Sequence, residues 1–405
     1  MPLIQPFRAL RPASGRAAEI LAPPYDVLSS AEARVRAQGR PWSFLHISKP
    51  EIDLDPAIDP HDKAVYAKAP ENLNRMIAAG LLIRDPRPCY YVYRLTWRGH
   101  TQTGLAVAAS LADYASNRIR KHELTTPVKE DDRVHQIEAV NAQTGPVMIA
   151  YPDAPAIDAM LADAAARPAE VDVTADDSVR HQLWPIADDA TIAKLTRAAE
   201  AWPALYIADG HHRSAAALRV AQARGLTGGS FLAVLFPHHQ MTILDYNRVL
   251  RDLNGRTPDQ LVAALRERFA VAPSDQPVRP ANSSDFGMFL AGRWHRLTLQ
   301  PKFLTASADP TERLPITLLA RNVIEPLFGV TDPRTDKRID FVGGARGSSG
   351  LEERVRSGEM AVAFALYPTQ MSDLMAVADA GKIMPPKSTW FEPKLADGMV
   401  NLVLD

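Results

Sequence analysis

Alternation of apolar and polar positions is clearest over residues 89–111. There Cys89-Tyr-Tyr-Val-Tyr-Arg-Leu-Thr-Trp97 and Thr103-Gly-Leu-Ala-Val-Ala-Ala-Ser-Leu111 flank Gly99-His100. Two β-prone runs joined by a short glycine-containing loop predict a hairpin. The same period predicts a second hairpin over 286–299, turning at Ala291-Gly292. Continuous apolar runs at 147–151, 204–208 and 230–236 have the pattern of buried strands. Spacings near 3.6 predict helices over 30–38, with Ser29 or Ser30 as N-cap, and over 62–80, closing at Gly80 and interrupted or kinked at Pro70. Further helices are expected in the second half of 119–147, in two alanine-rich stretches of 153–203, after Gly210, and over 258–269, 314–327 and 369–380. Short strands are expected at 171–174, 182–186 and 359–366, and the tail from 384 to 404 reads as extended. Strands and helices intermingle without a clean βαβ period. The expected class is therefore α+β, with mixed sheets and flanking helices, rather than a doubly wound sheet.

Length and composition narrow the function classes. A chain of 405 residues fits two or three domains at roughly 100–200 residues each. The regions expected are 1–150, 151–250 (holding the glycine turn) and 251–405, with room for interleaving. A formal net charge of −1 argues against a nucleic-acid binder that relies on a basic face, although that total leaves room for a local patch. The single cysteine, Cys89, excludes an internal disulfide framework and a cysteine-based zinc site. No run of about 18 apolar residues and no signal-like start is present, so the expectation is a cytoplasmic protein away from membranes. The 33 prolines are dispersed and punctuate short elements.

The chemistry concentrates at Ala204-Leu-Tyr-Ile-Ala-Asp-Gly-His-His-Arg-Ser-Ala-Ala-Ala-Leu-Arg219. A strand that ends in a glycine turn and enters a helix points backbone N–H groups and a positive dipole end at an anion. Arg213 adds a planar, multi-donor cation, and the small residues after it allow close approach. Gly210 and Arg213 are thus candidate phosphate ligands, and Asp209, His211 and His212 candidate catalytic groups. The charge-dense segment 119–147 offers Glu123 as a further catalytic carboxylate, Lys121, Lys129 and Arg133 as phosphate contacts, and Glu123 with Asp131 as ligands for Mg²⁺. Its bland alternative is a solvated charged loop. Lys387, Ser388 and Thr389 suit phosphate contact or β-addition on the extended tail. Ala22-Pro-Pro-Tyr-Asp-Val27 reads by itself as a rigid turn, and Gly343–Gly350, which lacks a P-loop lysine, as a flexible one. Pro237-His238-His239 has no evident metal partner in the sequence.

Ala22-Pro-Pro-Tyr-Asp-Val, Lys121-His-Glu-x-Thr, Lys129-x-Asp-Asp-Arg133, Ile207-Ala-Asp-Gly-His-His-Arg-x-x-Ala and Met384-Pro-Pro-Lys-Ser-Thr-Trp-Phe-Glu-Pro-Lys394 together resemble, in order, the motifs of the domain-of-unknown-function family 1015. The sequence has Gly398-Met399 where that family would show Gly-Leu. The Asp-Gly-His-His-Arg-x-x-Ala segment is also similar to the Gly-x-x-Arg-x-x-Ala phosphate signature of the ParB/sulfiredoxin-like fold, which includes nucleotide switches and free-serine kinases. That likeness implies an enzyme handling a phosphoryl group on a small metabolite, with serine or phosphoserine as favoured substrate, kinase or phosphatase direction open, and ATP or ADP as cofactor. A nucleotide-binding switch with no substantial turnover is the alternative it leaves. The sulfinic-acid reductase branch needs a cysteine where His211 and His212 stand.

Overall fold

The computed structural model describes residues 1–226, 228–304 and 307–405. The chain forms two units: Met1–Met241 with Pro393–Asp405, and Thr242–Glu392. The first expected boundary, at 150, instead falls inside a strand of the central sheet, and the last thirteen residues return to the first unit. Sequence patterning does not register such a return, because a strand's partners are not encoded in its own period.

The first unit is built on a nine-stranded sheet. Its strands are β1 (Ile4–Gln5), β2 (Tyr90–Trp97), β3 (His100–Ser110), β4 (Ile119–Arg120), β5 (Val147–Tyr151), β6 (Val171–Thr174), β7 (Arg180–Ile186), β8 (Leu205–Asp209) and β9 (Ser230–Pro237). They run in the order β4-β8-β5-β9-β3-β2-β7-β6, and β1 pairs with β3. The expected hairpin is β2–β3, with Trp97 opposite His100. β9, apolar from Phe231 onward, lies in the middle, antiparallel to β3 and parallel to β5, as a strand buried on both faces requires. Mixed sheets and flanking helices make the fold α+β, as the sequence predicts.

Among the described residues of this unit, six helices have eight or more residues: α1 (Ser30–Ala37), α2 (Lys63–Ala78), α3 (Pro127–Val140), α4 (Pro155–Ala164), α5 (Asp189–Ala199) and α6 (His211–Ala223). Ser29 caps α1 in a reciprocal capping box with Glu32. Pro70 neither ends nor restarts α2, which runs through it on a face that buries Ala69, Leu73 and Met76. The alanines of α6 serve two faces. Ala217 and Ala221 join the sheet core with Val147 and Phe231, while Ala216 and Val220 meet Ile137 of α3. Small side chains are what let a helix fit between a sheet and a second helix. A separate four-stranded sheet pairs Ala9–Pro12 with Leu82–Arg84 and with the C-terminal Asn401–Val403, which in turn pairs with Ala142–Gln143. No helix among the described residues is long and apolar enough to cross a membrane.

The second unit opens and closes in one antiparallel pair, Thr242–Leu244 with Trp390–Glu392, so its two ends are tied together. Its core is a six-stranded sheet that contains the expected hairpin, Asp285–Leu290 with Arg293–Leu299. Three sequence expectations change here. The helix expected over 258–269 ends at Leu265, and Phe269 begins a strand paired to Leu299. The helix over 314–327 is an α-turn, Pro315–Leu319, followed by a wider π-type stretch through Pro326. The glycine-rich turn at 343–350 becomes helical from Gly347 to Arg356.

Gly104 lies in β3 beside β9, and a Cβ there would sit 2.6 Å from the Leu235 carbonyl and 2.7 Å from the Phe236 ring. Gly104→Ala is expected to destabilise the protein by about 1–3 kcal/mol through overpacking at the sheet centre. Urea denaturation checks this: the midpoint should fall with the slope unchanged, and an unshifted midpoint refutes the packing argument.

Candidate functional site

The site begins with a defect in the sheet. Along β8 the register with β5 slips between Ile207 and Asp209, a bulge that sits directly before Gly210. Gly210 follows at φ 102°, ψ 27°, in the left-handed region that glycine reaches without penalty. A Cβ on Gly210 would also lie 3.2 Å from the Arg213 guanidinium carbon and 3.3 Å from the Val147 backbone. Gly210 thus both makes the turn and lets Arg213 fold back over it. Helix α6 starts at His211, and no side chain caps it. The strand, glycine and helix N-terminus are arranged as expected from sequence.

Arg213 is not an open clamp. Its guanidinium donates to the Pro146 carbonyl through Nη1 and reaches Asp209 (3.3 Å) and Asp26 (3.6 Å) through Nη2, while its Nε has no partner. Arg213 is 9 % exposed. Burial would favour losing the proton, but the carboxylates of Asp209 and Asp26 outweigh it and hold the guanidinium firmly charged. Asp209 also receives Lys394 Nζ at 3.3 Å. Against its burial, Lys394 and Arg213 push its carboxyl far below the ordinary range. Asp209 is thus an anion set between two cations, Arg213 and Lys394.

The Pro23-Pro24-Tyr25-Asp26 turn, read from sequence as merely rigid, docks here. The Tyr25 N–H donates to Asp397 Oδ2 at 3.2 Å, and the Arg133 guanidinium carbon lies 3.7 Å from the Tyr25 ring centroid. Burial pushes the Tyr25 hydroxyl up to about 12. Arg133, expected as a phosphate ligand, is spent on this stacking and on Asp132, to which it donates at 2.9 and 2.6 Å. Asp397 was not singled out by sequence reasoning, since an aspartate before a glycine looks like a turn residue. It is 2 % exposed, its Oδ1 has no partner, and burial raises its carboxyl to about 7 despite Arg213 and Arg133 nearby. Tyr25, Arg133, Gln143, Thr144, Arg213 and Asp397 line a cavity of about 30 Å³, room for about two waters.

The two histidines of the motif part company. His212 is half-buried and accepts the Thr126 N–H at 3.2 Å through Nε2, and burial together with Lys129 lowers its basicity. His211 is buried. Its Nε2 accepts the His122 N–H at 3.4 Å and its Nδ1 lies 3.9 Å from Glu123 Oε2. Burial holds His211 neutral. Lys121 lies over the Tyr114 ring at 4.3 Å, and Lys129 is exposed. Asp131 does not join Glu123: its carboxylate takes Arg219 at 2.7 Å, and the groups gathered at Glu123 are His122 and His211. Lys387, Ser388 and Thr389 belong to the second unit. There Arg248 donates to the Lys387 carbonyl at 3.0 Å, and Ser388 Oγ donates to the Pro385 carbonyl while its own carbonyl accepts from Thr369.

The sequence pattern of the family described as "Protein of unknown function (DUF1015)" matches residues 4–319, and the chain belongs to that family. No curated protein matches it. Among solved structures it is similar to a free serine kinase in complex with AMP, at 12 % identity, covering 74 % of this chain and 92 % of that one with a TM-score of 0.38. It is also similar to SbnI with a C-terminal truncation from Staphylococcus aureus, at 13 % identity, 73 % and 87 % coverage and TM-score 0.39. A conserved hypothetical protein from Pyrococcus furiosus gives 12 %, 73 %, 94 % and 0.36.

Asp397 binds its proton more tightly folded than unfolded, because its folded value, about 7, is above its ordinary 3.8. Stability from this group is therefore full at low pH and is lost as pH rises from about 4 through about 7. Thermal midpoints between pH 5 and 8 should fall more steeply for the wild type than for Asp397→Asn, which keeps an acceptor for Tyr25 without the charge. Equal slopes would show that Asp397 holds no such proton.

Proposed function

We propose that this DUF1015 protein handles a phosphoryl group on a small metabolite. Serine or phosphoserine is the favoured substrate class and ATP or ADP the phosphoryl partner, both by the likeness of the Asp209–Ala216 segment to the ParB/sulfiredoxin-like phosphate signature. The observation that carries the reading is the meeting of the Tyr25-Asp26 turn with Arg213 at an uncapped helix N-terminus. Phosphoryl transfer asks mainly for positioned positive charge and a group that accepts the proton of the attacking hydroxyl. The first is supplied by Arg213, by the leading peptide N–H groups of α6 and by the exposed Lys129. For the second, Asp26 is the carboxylate that combines solvent access, at 40 % side-chain exposure, with contact to the guanidinium.

Asp26 and the incoming phosphate compete for Arg213. With room beside the guanidinium for about two waters, a phosphate oxygen takes the place of Asp26 on Nη2 and turns the freed carboxylate toward the substrate hydroxyl or a water. Asp397, enclosed behind Tyr25, holds the turn in place and is a positioning residue. Residues suited to a nucleotide's phosphates are thus present. Mg²⁺ fits less well, because it favours near-octahedral oxygen ligands while Asp131 is engaged by Arg219 and Glu123 lies beside two imidazoles.

The test gives purified protein serine with ATP, serine with ADP, or phosphoserine alone, each with Mg²⁺, and measures phosphoserine or inorganic phosphate. Turnover in one arm is expected. Arg213→Lys, which keeps the charge but not the planar fork, should lower it by about 10²–10³-fold. Asp26→Asn should lower kcat by about 10²–10⁴-fold while nucleotide affinity, read by calorimetry, does not weaken. Tight nucleotide binding with no turnover in any arm would instead give the chain to the switch reading.

A further inference from the structure

The His122–His211 contact is left unexplained by phosphate chemistry. His122 is 2 % exposed, and neither ring nitrogen has a partner in hydrogen-bond geometry. The Ile207 backbone lies near the ring but not in hydrogen-bond geometry. A buried imidazole without a good partner on either nitrogen is costly, and such a group calls for one. Its ring stands perpendicular to that of His211 with centroids 4.5 Å apart. One ligand atom from each of His122, Glu123 and His211 falls within a 4.8 Å group.

We propose that His122, His211 and Glu123 form a binding site for a divalent transition metal of the zinc or cobalt type. Two imidazole nitrogens and one carboxylate are the donor set such ions favour, and three protein ligands leave a fourth position open. Tetrahedral ligands at about 2.0–2.1 Å from a metal stand about 3.4 Å apart. The 3.9 Å between His211 Nδ1 and Glu123 Oε2 must close by about half an ångström, which the exposed Glu123 side chain can supply. Coordination through Nδ1 moves the His211 proton to Nε2. With both groups then donors, the His211 ring must turn away from the His122 N–H, a contact that at 3.4 Å is already at the long limit of a hydrogen bond. Glu123 is 48 % exposed and gives the ion a path in from solvent, while the two histidines behind it are buried. The site stands on its own donors and does not rest on the phosphoryl reading.

A second, more exposed group, Asp153 with His238 and His239, must be silenced before the ion is counted. The experiment therefore uses the full chain carrying His239→Ala, stripped with a chelator, dialysed and titrated with Zn²⁺ against a chromophoric competitor, and with Co²⁺ for its visible spectrum. One equivalent of Zn²⁺ and a tetrahedral Co²⁺ spectrum, undisturbed by millimolar Mg²⁺, are expected. Adding His122→Gln or His211→Gln should weaken Zn²⁺ by more than the roughly 10–100-fold typical of outer-shell partners. Glu123→Gln, at an exposed position that tolerates change, should weaken it at least tenfold and keeps the test informative if a histidine variant misfolds. Stoichiometric binding that survives Glu123→Gln and His122→Gln at full strength, or no uptake by the parent, overturns the proposal. Neither outcome bears on phosphoserine turnover, which is assayed separately.

Discussion

A buried guanidinium has to be met by acceptors on several sides, and around Arg213 those acceptors come from stretches of chain far apart in sequence. The Pro146 carbonyl precedes β5, Asp209 ends β8, and Asp26 sits on the N-terminal proline turn. Asp397 and Lys394, near the C-terminus, hold the Tyr25 N–H and Asp209. Leaving a buried charge without its partners costs far more than the pairing itself gains, so this cluster constrains how these segments assemble. Each of them is locally irregular: a diproline turn, a Gly-Pro loop, a β-bulge, an extended tail.

The electrostatics divide the site into a fixed part and an exchangeable part. Asp209, between Lys394 and Arg213, is locked as an anion, and Arg213 is locked as a cation. Asp397 has a carboxyl lifted to about 7 and an oxygen without a partner, so it is the inner group whose charge is least settled. Asp26 is the outer one, reached by solvent. Low dielectric around the inner groups strengthens every pairing they make and sharpens the cost of each one missing. The same burial keeps His122 and His211 neutral, and a neutral imidazole is the form that can donate a lone pair.

Much of this was legible in the chain. The β8–Gly210–α6 unit follows from an apolar run, a residue free to take positive φ, and small helix formers after it. The two hairpins and the central position of β9 follow from apolar period, and the N-cap at Ser29 from residue type at the start of a helix. Other readings failed where a non-local partner overruled local preference. Phe269 continues the helical period of Leu261 and Leu265, yet it is drawn into a strand opposite Leu299. Pro70 stays inside α2 because the buried face there outweighs the lost hydrogen bond. Asp131 lies close to Glu123 in sequence, but α3 begins between them at Pro127 and turns Asp131 toward Arg219 of α6.

By itself the sequence determined the types of chemistry available and the local frames that hold them: a glycine turn into a helix, a basic and acidic segment before α3, a diproline turn, a lysine-bearing tail. These depend on dihedral preference and on spacing within a few residues, which neighbours in the chain decide. Tertiary structure alone decided which charges meet. It brought Asp26 rather than solvent to Arg213, gave Asp209 to Lys394, enclosed Asp397 until its carboxyl rose toward neutrality, and set His122 against His211. Burial and long-range pairing set those outcomes, because the dielectric and the partners of a side chain are properties of the space it is folded into.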